Sequence, residues 1–167
     1  MTEAFKDVLE ANRDYVATYN TPQMEGRAAR GLALVTCMDS RIEPLAMLGL
    51  KKGDAKILRN AGARVTDDVL RTLVLAVHLL DVRRVMVVAH TDCRMSKVTD
   101  EQVHADILAG SGIDTRSLDF NTVDDQQAVL AHDVRKIRSS PFLPADLAVI
   151  GCIYDLKTGA LNVAIGD

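Results

Sequence analysis

The chain has 167 residues, which is the length of one domain and enough to bury a core. Its residues are 48% hydrophobic and 26% charged, the balance of an ordinary globular protein. A formal net charge of −3 gives no electrostatic reason to expect nucleic acid or an anionic membrane as partner. No apolar run approaches the roughly 20 residues that span a bilayer, and the first residues are too polar for a signal peptide. We therefore expect a cytoplasmic protein that does not enter a membrane.

Helical spacing of apolar residues alternates with short continuous apolar runs, which predicts alternating helices and strands. In chain order the predicted elements are a helix over 3–19, a strand over 31–36, a short helix over 44–48, a strand over 55–59, a helix over 66–80, a strand over 84–89, a helix over 100–108, a loop over 110–121, a helix over 122–138 and strands over 146–153 and 161–165. Thr66 precedes two acidic residues and is typical of a helix cap. The first helix, which Asn20–Pro22 ends, lies in an N-terminal arm of residues 1–29.

This alternation predicts an α/β fold, a mostly parallel sheet of four to five strands with helices on both faces. Right-handed crossovers leave few topologies. If the chain winds one way through the second strand and the other way through the third, the first strand is central and the third borders it. Ligands of such sheets bind outside the carboxyl ends of the strands, at the point where the winding reverses.

Two short segments that carry chemically capable side chains lie at that point. Cys37–Arg41 follows the first predicted strand, and His90–Cys93 follows the third. The thiols of Cys37 and Cys93 and the imidazole of His90 form the ligand set that zinc prefers. Three protein ligands leave a fourth position open, which is typical of a catalytic zinc site. The sequence therefore predicts zinc coordination by these three residues.

The cysteine count supports this interpretation. An odd number of cysteines, three, in a chain without an export signal argues against a disulfide framework. Cys152 lies in an apolar run and is interpreted as a buried thiol. The helical histidines are interpreted as surface or packing residues rather than proton relays; they are His78, His104 and His132.

Asp39 and Arg41 follow Cys37 at steps of two, so an extended stretch would project all three side chains to one side. As a surface ion pair they would contribute little stability. As a functional pair, Arg41 would hold Asp39 ionised and turned aside, so that the carboxylate accepts a hydrogen bond from a zinc-bound water. If released, Asp39 could become the fourth zinc ligand and close the site. The sequence does not decide between these arrangements.

The motifs CMDSR and HTDC resemble those of the beta-class carbonic anhydrases, which carry Cys-x-Asp-x-Arg and His-x-x-Cys at the ends of the first and third core strands. Arg59–Ala63 and Tyr154–Leu161 match the same family. The resemblance runs from about residue 30 to residue 163 and is closest to the short bacterial members.

The resemblance implies that residues 1–167 form one domain, with zinc on the three predicted ligands and Asp39 and Arg41 as a catalytic dyad. It implies reversible hydration of carbon dioxide to bicarbonate by a zinc-bound hydroxide, in a pocket that the backbone near Gly62 helps to form. It also implies a homodimer or a dimer of dimers, with the N-terminal arm packed on the partner subunit. Arg94 stands where the family commonly has glycine, which bears on loop geometry and pocket charge near the metal.

Three other functions compete with this one. The same zinc site could hydrolyse carbonyl sulfide or carbon disulfide, because pocket shape decides between such substrates. A permanently closed site would give a non-catalytic zinc-binding protein. A cysteine-nucleophile enzyme would use Cys37 activated by His90.

Overall fold

The computed structural model describes residues 3–20 and 23–166. Its regular elements are α1 (Lys6–Thr18), β1 (Leu32–Cys37), α2 (Pro44–Met47), β2 (Ala55–Asn60), α3 (Asp67–Leu79), β3 (Arg84–His90), α4 (Asp100–Ser111), α5 (Gln126–Arg138), β4 (Ala148–Tyr154) and β5 (Leu161–Ile165), with single turns of 3-10 helix at Glu3–Phe5, Ala61–Ala63 and Arg94–Ser96. Every predicted helix and strand is present, and the differences lie at the ends.

The differences at the ends have local causes. Strands β1 and β3 include Cys37 and His90 as their last residues, because pairing with neighbouring strands continues one residue further than the apolar runs. Helix α4 continues past the predicted end at Leu108 into the segment predicted as a loop, and it ends where Gly112 adopts a left-handed conformation with φ of 73°. Residues 21 and 22, which were predicted to end the first helix, lie outside the described residues.

The five strands form one sheet in the order β2-β1-β3-β4-β5. Strands β1 to β4 pair in parallel, and β5 pairs with β4 in the antiparallel sense. The predicted α/β class and the predicted pairing of the first and third strands are therefore confirmed. Because the chain leaves β1 for β2 on one side and returns to β3 on the other, the winding reverses between β1 and β3.

Helices cover both faces of the sheet, as predicted. On one face α3 and α5 pack on alternate strand residues around Val87, with Leu73 and Ile137 completely buried. On the other face α2 and the residues after it pack on Leu34. An open apolar groove of about 410 Å³ remains on that face, at the beginning of the parallel strands. Its lining includes Leu32, Leu48, Leu50, Met86 and Ile150.

Helix α1 buries none of its residues, although it is amphipathic. Its large apolar side chains, and that of Phe5 just before it (61%), are about half exposed; those of the helix are Val8 (57%), Leu9 (47%), Tyr15 (53%) and Val16 (63%). Beyond its end, the Tyr19 hydroxyl accepts a hydrogen bond from Lys52 Nζ at 2.8 Å. No helix among residues 3–20 and 23–166 has the length and apolar character needed to cross a membrane.

Candidate metal centre

The parallel pairing of β1 with β3 brings the three predicted metal ligands together. Cys37 ends β1, His90 ends β3, and Cys93 follows after a tight turn in which Asp92 adopts a left-handed conformation with φ of 59°. The two sulfurs and a ring nitrogen lie within 4.8 Å of one another, and all three residues are buried. The structure therefore assembles the ligand set that the spacing of the motifs predicted.

The ring nitrogens of His90 show how a metal ion fits this cluster. Nδ1 lies 2.8 Å from the Thr91 carbonyl oxygen, to which it can only donate, so Nε2 carries a free lone pair. That Nε2 atom is buried without a hydrogen-bond partner, which is costly for a polar group. A metal ion would satisfy it, and the fixed ring orientation is one that metal-binding histidines commonly show. Two thiolates with one imidazole suit zinc among the divalent ions.

The two thiols are electrostatically coupled. A hydrogen bond from Cys93, with smaller contributions that include the Gly62 backbone, lowers the pKa of the Cys37 thiol to about 3. The same contact with Cys37 raises the pKa of Cys93 above its ordinary value. Without a metal the pair thus holds one proton, which a metal ion would release on binding both sulfurs as thiolates.

The segment after β1 turns instead of continuing as an extended stretch, so that prediction was wrong. A hydrogen bond of 3.1 Å from the Ile42 backbone N–H to the Asp39 carbonyl closes the turn and folds Arg41 back on Asp39. Arg41 donates to the Asp39 carboxylate from Nε at 2.9 Å, from Nη2 at 2.7 Å and from its backbone N–H at 3.0 Å.

This pair places a charged carboxylate next to the three predicted metal ligands. Asp39 Oδ2 lies 3.9 Å from His90 Nε2, and the Asp39 side chain is 18% exposed. Hydrogen bonds from Arg41 hold the pKa of Asp39 well below its usual range, so the carboxylate stays ionised. The structure thus corresponds to the arrangement in which Arg41 holds Asp39.

The sequence analysis assigned no role to two residues that contact this pair. Arg59 donates to the carbonyl oxygens of Cys37 at 2.9 Å and Asp39 at 2.7 Å, which fixes the backbone of the turn. Asp92 accepts a hydrogen bond from Arg41 Nη1 at 2.8 Å. Both belong to the motifs already singled out, so their position in those motifs was the available signal.

Gly62 lies beside the cluster in a conformation that favours glycine, with φ of 80°. A Cβ atom there would come within 3.3 Å of Met95 Cβ. Gly62 also lines a cavity of about 10 Å³ together with His90, Cys93 and Val123, which is room for about one water molecule.

The residue that replaces the usual glycine causes no strain. Arg94 begins the 3-10 helix Arg94–Ser96, a right-handed conformation that any residue adopts, and its side chain is exposed. The arginine therefore alters the charge near the cluster and leaves the backbone of the loop intact.

The remaining cysteine and histidines lie apart from the metal cluster. Cys152 is completely buried in β4, as predicted. The three helical histidines have other contacts: His78 with the Phe142 carbonyl, His104 with Thr115 and the Phe120 ring, and His132 with Asp133.

The fold and these side chains define a class of protein, an α/β protein in which a group able to hold a metal ion lies at the carboxyl ends of two adjacent parallel strands. Comparison with known proteins narrows the class. The carbonic anhydrase family model matches residues 32–161. Beta-carbonic anhydrase 1 of Mycobacterium tuberculosis is 34% identical over 156 residues, covering 93% of this chain and 94% of the relative.

Two further similarities cover most of the chain. The crystal structure of carbonic anhydrase from Streptococcus mutans superposes with a TM-score of 0.91 at 35% identity, covering 98% of this chain and 99% of that one. A carbon disulfide hydrolase of an Acidianus species is 29% identical over 157 residues, covering 80% of this chain and 76% of the hydrolase. The chain belongs to the beta-carbonic anhydrase family and is an enzyme of the carbonic anhydrase class, a lyase.

Proposed function

We propose that this protein catalyses the zinc-dependent, reversible hydration of carbon dioxide to bicarbonate. The observation that carries the proposal is the unpartnered Nε2 of buried His90, which lies with the sulfurs of Cys37 and Cys93 and 3.9 Å from the Asp39 carboxylate. A zinc ion held by those three residues would lower the pKa of a water and supply hydroxide as the nucleophile.

Asp39 and Arg41 have distinct roles in this proposal. The ionised Asp39 carboxylate accepts a hydrogen bond from the attacking water and so orients it. Arg41 holds that carboxylate in position through its two guanidinium bonds. Because two thiolates donate more charge to zinc than neutral imidazoles do, we expect full activity only at alkaline pH.

The surroundings of the cluster favour a small, uncharged substrate. Apolar side chains pack around the two cysteines, among them Ile42, Met47 and Leu156. The space beside Gly62 is narrow, and the Gly62 backbone offers polar contact without a side chain. Both features suit carbon dioxide.

Hydrolysis of carbon disulfide or carbonyl sulfide is the second candidate, because a carbon disulfide hydrolase is among the relatives. The two remaining candidate functions, a non-catalytic zinc-binding protein and a cysteine-nucleophile enzyme, have less support. The bond from Arg41 to Asp39 argues against a permanently closed, non-catalytic site. The burial of Cys37, which is 4% exposed, argues against a cysteine nucleophile.

The decisive experiment combines metal analysis with turnover. We expect about one zinc per chain, hydration of carbon dioxide that rises with pH, and little sulfide release from carbonyl sulfide or carbon disulfide. Faster sulfide release than hydration would transfer the assignment to the second candidate. Protein without bound metal would contradict both.

Cys37→Ser tests the ligand assignment directly. It should remove most of the zinc, since an alcohol is a far weaker ligand than a thiolate. Cys152→Ser, which changes a buried thiol outside the cluster, should keep the zinc. Full zinc occupancy in Cys37→Ser would contradict the assignment.

For the assembly we propose a homodimer in which the arm of residues 1–29 packs on the partner. Two features support it: the exposed apolar face of α1 and the open apolar groove at Leu48 and Met86. If α1 of one subunit lay in the groove of its partner, both apolar surfaces would be buried. We place the protein in the cytoplasm, where the ligand thiols would stay reduced.

A further inference from the structure

The guanidinium group of Arg41 lies between two carboxylates that come from different strand ends. On one side it forms the bonds to Asp39 already described. On the other side Nη1 donates to Asp92 Oδ2 at 2.8 Å, and Nη2 lies 3.2 Å from the Asp92 carbonyl oxygen. Arg41 therefore connects the turn after β1 to the loop that carries Cys93.

The Asp114-x-Arg116 sequence forms a pair of the same kind and shows which part of this arrangement is local. Arg116 donates to Asp114 from its backbone N–H at 3.0 Å, from Nε at 3.0 Å and from Nη2 at 2.6 Å. The side chains of Arg116 and Asp114 are both at least half exposed. A pair of this geometry thus also forms away from the cysteine and histidine cluster, although the spacing by itself is not sufficient: Asp81, Asp92 and Asp133 also precede an arginine by two residues, and they bond Arg27, Arg41 and Arg64 instead. The feature that distinguishes Arg41 from Arg116 is its second carboxylate, Asp92.

The conformation of Asp92 suits this contact. Its left-handed backbone is one that aspartate tolerates better than most residues, and it turns the side chain toward Arg41. Lys97 pairs with the other carboxylate oxygen, Oδ1, so Oδ2 remains for Arg41.

A purely local pair would be free to move as a unit. Asp39 Oδ2 is already 3.9 Å from His90 Nε2, so a small movement would bring the carboxylate onto a metal held there. The hydrogen bond from Arg41 to Asp92 fixes the guanidinium group and so opposes that movement, because the same group also binds both carboxylate oxygens of Asp39.

We infer that Asp92 is a positioning residue which, acting through Arg41, keeps the Asp39 carboxylate away from the fourth coordination position of the metal. Lys97 supports it by fixing the other oxygen. This inference rests on the proposed metal site and adds a third charged residue to the pair that the motif contains.

Thiocyanate binding to the cobalt-substituted protein tests the inference, since the anion and Asp39 compete for one position and visible absorbance reports its occupancy. Asp92→Asn should weaken thiocyanate binding about three- to fivefold, an effect typical of one ion pair. Simple loss of a negative charge would instead strengthen anion binding. Asp92→Gly, which also tolerates φ of 59°, should give the same result as Asp92→Asn.

A double-mutant cycle separates action through Asp39 from direct action. In an Asp39→Asn background, Asp92→Asn should leave thiocyanate binding unchanged. Asp114→Asn, which breaks the matching pair elsewhere, should also have no effect.

If the parent protein binds cobalt, unchanged or tighter thiocyanate binding in Asp92→Asn and Asp92→Gly would overturn the role of Asp92 and leave the proposed metal site standing. Equal weakening in the Asp39→Asn background would also overturn it. A parent protein that takes up no cobalt would overturn the metal site and this inference together.

Discussion

At the scale of single residues, the described structure contains several carboxylates whose surroundings fix their charge, and they serve different purposes. Asp39 is held ionised by Arg41 beside the proposed metal ligands. Asp100 is held ionised by hydrogen bonds that secure a loop. We propose a catalytic role for the first and a stabilising role for the second, and each can be tested by replacing the acid with its amide.

Asp39→Asn should keep the metal, because its three proposed ligands remain, and should slow hydration of carbon dioxide roughly 10²-fold, the lower end for a lost acid-base group. Stopped-flow hydration assays with zinc analysis would measure both. Asp114→Asn removes the corresponding acid of the exposed Asp114–Arg116 pair and should change neither. If turnover in Asp39→Asn equals that of the parent, Asp39 takes no part in the reaction.

Asp100→Asn should lower the free energy of unfolding by about 1 kcal/mol at neutral pH, allowing for partial exposure. The Asp100 carboxylate accepts from the hydroxyl of Thr122 at 2.6 Å and from the backbone N–H groups of Thr122 at 2.9 Å and Phe120 at 2.8 Å. Hydrogen bonds from Thr122, its side chain first, lower the pKa of Asp100 from 3.8 to about 2.

The sign of the pH effect follows from this lowered pKa. The stabilisation by Asp100 is complete when the pH is above the ordinary pKa of 3.8. It disappears as the pH falls through the lowered pKa of about 2. Urea unfolding between pH 6 and pH 3 should therefore show the difference between parent and variant shrinking only at the acid end. Asp106→Asn, on the exposed side of the same helix, is the control and should match the parent. A constant difference down to the lowest pH would contradict the explanation.

At the scale of elements, the distance between α5 and β4 depends on one glycine. A Cβ atom at Gly151 would lie 2.9 Å from Leu130 Cγ and 3.1 Å from Val134 Cγ2. Both atoms belong to branched, buried side chains of α5, so neither can move aside without shifting the helix. The sequence analysis placed Gly151 in a strand and gave it no role.

Gly151→Ala should destabilise the protein by about 1–3 kcal/mol, because it overpacks the contact between α5 and β4. Gly110→Ala makes the same chemical change in α4, where nothing lies within 4 Å, and should be stabilising by about 0.5–1 kcal/mol. Urea or thermal unfolding measures both. Equal effects of the two substitutions would show that the close approach at Gly151 is unimportant.

The elements show why the ends of helices and strands were harder to predict than their existence. The apolar run of β3 predicted its core, but His90 joins the strand only because it pairs with Tyr154 of β4. The turn at Asp39 likewise depends on a hydrogen bond to Ile42 and on contacts with Arg59, which comes from a different strand. Local propensity contains no information about such partners.

At the scale of the whole molecule, the exposed apolar face of α1 predicts association. Val16→Glu should weaken the proposed dimer at least about tenfold, because burying an unpaired charge is costly. Ala17→Glu adds the same charge about 100° further around the helix, away from the apolar face, and should leave the dimer intact. Light scattering after size-exclusion chromatography, over a range of concentrations, gives the masses. A monomeric parent, or equal effects of the two variants, would contradict the arm-exchange proposal.

The sequence alone determined the order of helices and strands, the parallel α/β class and the identity of the Cys37–His90–Cys93 cluster. It could do so because apolar periodicity sets the elements and because the carboxyl ends of adjacent parallel strands share one edge of the sheet. Only the tertiary structure decided that the His90 lone pair is unpartnered and that Asp92 reaches Arg41. Those facts depend on distances of a few ångströms between segments far apart in the chain, which turns and packing fix together.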